Sequence, residues 1–280
     1  MSIPLHLGVR AHDFTQVPLH ELIEKIKSYH FAHIQFALKK SFPDSAPSLT
    51  AISPGTASYY GNAFRQAGIQ IAVLGCYVNI VDTDPQKRAQ ALAAFSTHLR
   101  LARDFGANLV GTETGTVGVG FTTDNFTEEA FQEVITSVKA MVAEAEHFGV
   151  TVGIEAGHHH PLYTASLTRR LLDEFSSNNL QIILDCANLM SPTNYLHQEA
   201  IITEALKLLG DRIAIIHLKD FIVQDGAIKI VPVGQGWLEF EPILRYMKYE
   251  RPHIQGILES TPESHLGESI AFLQGIYEEV

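Results

Sequence analysis

The sequence predicts an α/β chain folded as a single (β/α)8 barrel over residues 1–280. Three observations carry this expectation. Eight short apolar runs recur along the chain, helix-period segments separate them, and no Pro/Gly/Ser-rich linker or compositional break divides the whole. Strands that read as continuous Ile/Val/Leu runs between helices are parallel and covered on both faces. Eight such units favour a closed barrel over an open doubly wound sheet, because barrels run to about 250 residues as one unit.

The runs are taken in order. HLGVR (6–10) is followed by PLHELIEKIKSYH, whose apolar residues recur at three and four and whose Pro18 suits a first helical turn. HIQFAL (33–38) and IQIAVLGCY (69–77) come next. The second of these leads into DPQKRAQALAAFSTHLRLARDFG, a helix with Pro85 in its first turn and a closing glycine. ANLVGTE (107–113) precedes TEEAFQEVITSVKAMVAEAEHFG, where Thr127 followed by Glu128 and Glu129 makes an acidic helix start. VTVGIEAG (150–157), LQIILDCAN (180–188), RIAIIHLKD (212–220) and IQGILES (254–260) complete the set.

Composition narrows the function classes. Hydrophobic residues at 46% with charged residues at 18% describe a globular chain with a substantial core. No run reaches the ~18 apolar residues of a membrane span, and the opening MSIPLHLGVRAHDF lacks a basic flank and apolar segment, so neither a membrane nor a secretory signal is expected. Cys76 and Cys186 lie far apart inside apolar segments, which points to free thiols and a reducing cytoplasm. A net charge of −11 argues against a nucleic-acid partner, whose phosphates call for clustered Lys and Arg.

In such a barrel, chemistry sits where strands end, on the face built by the loops that lead into helices. Strand five ends in Glu155, strand six in Asp185, strand seven in His217 and strand eight in Glu259. Each ionisable group follows several apolar residues, where burial without a partner is costly. Three carboxylates brought together repel unless a positive charge lies between them, so one divalent metal ion is the expected cofactor. Three oxygen donors and an imidazole, with no thiolate, suit Mn²⁺, Co²⁺, Mg²⁺ or Zn²⁺.

GIEAG, ILDCANL, IIHLKDF followed by PVGQGWLEFEPIL, and ILES, in that order and spacing, resemble the xylose-isomerase-like sugar isomerase/epimerase superfamily of TIM barrels. The resemblance covers nearly the whole chain. It implies that Glu155, Asp185, His217 and Glu259 hold the metal, and that Glu155 and Glu259 transfer the proton through an enediolate of a small sugar or polyol substrate. It also implies a homo-oligomer. Asn188 stands where some epimerases carry a His, and HLKDFIVQ has no Arg where those enzymes have one. Lys219 and Asp220 give instead an HxKD form shared with inosose and dehydroshikimate dehydratases. A dehydratase is therefore the alternative reaction, and Asn188 and Lys219 are candidate substrate contacts under either reading. An apurinic endonuclease is more remote, because the extra His and Asp ligands of its metal cluster are missing; a non-catalytic sugar-binding barrel is the other remote alternative.

Around this set, Glu113 at the end of strand four is a candidate substrate contact, and Gln35 and Arg10 hold comparable places on strands two and one. His158, followed by His159 and His160, reads either as pocket lining or as solvated loop. Cys76 reads as packing. The glycines of 115–120 and 233–236 read as tight loops over the pocket, since neither has the spacing of a nucleotide fingerprint. Trp237 and Phe240 read as anchors of the second loop, with sugar stacking as the alternative.

Overall fold

A computed structural model describes residues 4–280. Eight parallel strands close into a barrel: β1 (Leu7–Arg10), β2 (His33–Phe36), β3 (Gln70–Gly75), β4 (Leu109–Glu113), β5 (Thr151–Glu155), β6 (Leu180–Asp185), β7 (Ile213–Leu218) and, after a hairpin of β8 (Asp220–Gln224) with β9 (Ala227–Val231), β10 (Gln255–Leu258). Strand β10 pairs with both β7 and β1, which closes the ring. The expected eight barrel strands are all present. The antiparallel hairpin after β7 is an addition, turning at Asp225 and Gly226, both at positive φ. An Asp-Gly pair is the usual choice where two successive residues must take that conformation.

Helices α1 (Leu19–Ser28), α2 (Leu38–Ser41), α3 (Pro54–Gln66), α4 (Pro85–Phe105), α5 (Glu128–Phe148), α6 (Ala165–Asp173), α7 (Gln198–Leu209), α8 (Glu241–Arg245) and α9 (Leu266–Glu279) follow the strands. Their ends obey local chemistry. The Asp84 carboxylate accepts from the Gln86 amide at 2.9 Å to start α4, with Pro85 in the first turn, and Thr127 accepts from Ala130 to start α5. Gly106 and Gly149 close these helices in the left-handed conformation. Pro18 sits one residue earlier than expected, as the N-cap of α1 rather than inside its first turn.

The period of two along a strand sets what faces inward. Val73, Leu109, Ile183, Ile215 and Ile257 belong to one small apolar cluster, separate from the large one that includes Phe36, Phe64 and Phe105. Two residues further along their strands, Ile183, Ile215 and Ile257 are followed by Asp185, His217 and Glu259 on the same side. The interior layer thus forms the floor beneath the polar strand ends. Gly111 and Gly153 belong to this layer, since a Cβ on Gly111 would lie 2.7 Å from both Ile183 Cδ1 and Val73 Cγ1. Gly111→Ala is expected to cost about 1–3 kcal/mol through overpacking, read as a lowered denaturation midpoint.

Candidate active site

Glu155, Asp185, His217 and Glu259 come together at one end of the barrel. Each offers a ligand atom within 4.8 Å of the others, and all four are buried. His217 Nδ1 lies 2.9 Å from Glu259 Oε2 and 3.3 Å from Glu155 Oε2. Its Nε2 lies 2.7 Å from Gln35 Oε1, an acceptor, so Nε2 carries a proton and Nδ1 is the atom turned to the carboxylates. Gln35 is itself fixed by donating to the Tyr77 hydroxyl.

Two cations stand beside the acids. Lys219 Nζ is 2.9 Å from Asp185 Oδ2 and 2.7 Å from Glu259 Oε1, and it donates to Asn188 Oδ1 at 3.0 Å. Arg10 reaches Glu259 Oε1 at 2.9 Å while its other nitrogens grip Asp13. Asn188 donates to Glu155 Oε1 at 2.6 Å, so this one amide joins Glu155 to Lys219.

These neighbours set the protonation of the two glutamates apart. Burial pushes the Glu155 carboxyl up to about 7, an effect reinforced by the Glu259 charge and only partly offset by His217. Burial also acts on Glu259, yet the His217 and Lys219 cations hold its carboxyl well below the usual range. Burial alone would depress His217, but the Glu155 and Glu259 charges outweigh it and raise the imidazole to about 10.

The donor set fits a divalent cation. Asp185 Oδ2 and His217 Nδ1 are buried without an aligned hydrogen bond, although charged groups lie close to both. Four hard or borderline donors, three of them anionic, are what a small divalent ion takes. Lys219, 2.9 Å from Asp185 Oδ2, and Arg10, beside Glu259, reduce the net negative charge of the cluster.

The other expected site residues separate by distance. Glu113 sits beside Glu155 in strand register at the edge of the cluster, and His160 Nε2 is 3.8 Å from its carboxylate. Asn188 and Lys219 are inside the cluster. His158 is one residue removed: its backbone N–H donates to Asn188 O at 2.7 Å. Cys76 is buried and its thiol is pushed far up by that burial. The 233–236 amides are committed to protein, because Asp220 accepts from Gly234 and Gly236. Phe240 is buried, whereas Trp237 is about half exposed and stacks against Tyr195. Gln35 and Arg10, at the comparable places on strands two and one, touch His217 and Glu259 directly.

The family model of xylose isomerase-like TIM barrels matches residues 23–276. The chain belongs to this family. Among solved structures, it is similar to a 3-keto-D-glucoside 4-epimerase from E. coli, with a TM-score of 0.74 at 17% identity over 97% of this chain and 99% of that one. It is also similar to the IOLI protein carrying a zinc atom, with a TM-score of 0.76 at 13% identity over 98% and 99%. A probable 3-DHS dehydratase from Bacillus anthracis gives a TM-score of 0.71 at 14% identity over 96% and 98%. At such identities the likeness is one of fold. No curated protein sequence is significantly similar to the chain. Among the described residues, no helix is long and apolar enough to cross a membrane.

Proposed function

We propose that the protein is a divalent-metal-dependent isomerase or epimerase of a sugar or sugar phosphate, with the whole chain acting as one barrel. The observation that supports this best is the buried cluster in which Glu155 and Glu259 both approach His217 Nδ1 and Asp185 offers a further oxygen, all four ligand atoms within 4.8 Å of one another. Asp185 and His217 hold the cation together with the glutamates, and Gln35 fixes the imidazole that does so. Bound Mn²⁺, Co²⁺, Mg²⁺ or Zn²⁺ supplies Lewis-acid stabilisation of the oxyanion that develops on the substrate.

One glutamate removes the proton α to the substrate carbonyl, and the electron pair moves onto the carbonyl oxygen to give an enediolate. The other returns a proton to the opposite face for an epimer, or a proton is returned to the neighbouring carbon for an isomer. Lys219, Asn188 and Glu113 line the place where substrate hydroxyls would lie. A dehydratase is the second reading, favoured by the dehydratase-like neighbour and by the ammonium of Lys219 inside the site. In that case the same base acts and a hydroxyl leaves as water.

Elemental analysis paired with incubation in deuterated water, using ketoses, ketose phosphates and inososes, tests both readings. Metal-dependent deuterium uptake beside a carbonyl supports the proposal. Loss of water from the product selects the dehydratase. A protein that takes up no divalent ion with all four residues intact overturns both.

Metal affinity is also expected to depend on pH. Loading the site requires the proton on His217, raised to about 10, to leave, and below about 7 a second proton to leave Glu155. Acid therefore opposes loading. Affinity should rise with about one proton released per ion between these two values, and about two below the lower one. Calorimetric titrations in buffers of different ionisation enthalpy count those protons. No release across that range would show that the imidazole is not a ligand.

A further inference from the structure

We infer that the substrate carries a terminal oxyanion, a phosphate or a carboxylate, seated by the ammonium of Lys40 at the mouth of the barrel. The inference rests on the proposed reading of the carboxylate cluster as the place where a sugar carbonyl reacts, and it names the chemistry of the substrate's other end.

Arg10, Lys219 and Lys40 stand around the cluster, and the first two are neutralised. Arg10 is paired with Asp13 and Glu259, and Lys219 with Asp185 and Glu259. Lys40, on α2, forms no ion pair among the described residues; its Nζ lies 4.5 Å from the centre of the Tyr77 ring. It is within electrostatic reach of Glu113, Glu259 and Arg10, which places it beside the cluster. Lys39, its neighbour in the chain, has its ammonium committed to the carbonyls of Pro43 and Ala46.

The ring beneath Lys40 is tied to the proposed metal ligands. Gln35 Oε1 faces the N–H of His217 Nε2, so its amide nitrogen must donate to the Tyr77 hydroxyl. The Tyr77 oxygen is thus an acceptor, and its own proton has no acceptor among the described residues. Burial holds this phenol well above its usual range, which keeps the proton on it. Both ring nitrogens of His12, an electrostatic neighbour of Arg10 and Lys40, are also buried without a hydrogen-bond partner.

An unpaired ammonium close to donors that lack acceptors calls for an oxyanion, which brings several acceptor oxygens and a counter-charge together. A neutral hydroxyl brings no charge. Burial and the Arg10 guanidinium both disfavour the Lys40 ammonium, and a ligand anion offsets both.

The test uses the metal-loaded full chain and affinities from ligand-observed NMR, within sets whose members all keep a ketone. D-fructose, D-tagatose and D-xylulose are each compared with the ester that carries phosphate on the terminal carbon. The two hexoses are also compared with D-fructuronate and D-tagaturonate, in which that carbon is a carboxylate. In at least one set the anionic member should bind at least about tenfold more tightly than the neutral ketose, and the anion that gains more assigns phosphate or carboxylate. Lys40→Met should cut this advantage to about threefold or less, whereas Lys40→Arg should retain it. Lys207→Met, an equal loss of charge at an exposed position on α7, should leave it intact.

Equal affinity of neutral and anionic members in every set overturns the inference. So does an advantage that survives Lys40→Met, since the anion is then held elsewhere, or one that falls as far in Lys207→Met, since net charge then accounts for it. If no sugar exchanges deuterium while the Lys40-dependent preference persists, the proposed reaction fails and the anion seat stands.

Discussion

Glu155→Gln and Glu259→Gln are each expected to lower turnover by about a thousandfold, the scale of a positioned acid or base. The substitution preserves size but removes the negative charge together with the ability to accept and carry the proton. At position 155 the amide oxygen can still accept from Asn188, which now donates to Glu155 Oε1 at 2.6 Å. With Asp185, His217 and Glu259 unchanged, Glu155→Gln should still take up metal, at reduced affinity, while deuterium exchange in the loaded protein collapses. Position 259 is less forgiving. Glu259 Oε1 faces both Lys219 and Arg10, and Oε2 faces His217. Removing its charge leaves two cations short of an anion, so Glu259→Gln should lose metal affinity together with rate. Undiminished exchange in metal-loaded Glu155→Gln would sink the two-glutamate mechanism.

The strand ends were legible because burial and charge conflict there. Glu155, Asp185, His217 and Glu259 each close an apolar run, and a period-two strand that opens onto the barrel mouth turns that local conflict into a shared site. What the sequence could not carry was pairing across closure. Arg10 meets Glu259 and Gln35 meets His217 only because β1 and β2 curl round to the far edge of the sheet, bringing together residues some 180 to 250 positions apart. No local pattern ranks Gln35 above any other strand glutamine. The β8–β9 hairpin is a different case: FIVQDGAIKIV carries an Asp-Gly turn between two apolar-rich arms. That signal was present but masked by the apparent end of the strand at Asp220.

Asp220 itself is where the largest stability effect is expected. Its carboxylate organises the loop after the hairpin: Oδ1 accepts from the amides of Phe221 and Leu238, and Oδ2 from those of Gly234 and Gly236. Asp220→Ala strands several of these donors, two of them on buried residues, and should cost about 3 kcal/mol at the order of magnitude of lost buried bonds. Asp220→Asn sharpens the test. Each oxygen serves two N–H donors, so an amide can satisfy one pair only by presenting its own NH₂ to the other. Asparagine should therefore be nearly as destabilising as alanine, although it keeps the size and much of the polarity. Since Lys219 precedes Asp220 and bridges Asp185 to Glu259, the same change should also loosen the cation beside the glutamates and reduce turnover. Chemical denaturation of the three proteins reads the first effect and deuterium exchange the second. A fully stable Asp220→Asn would mean that the loop does not depend on two acceptor oxygens.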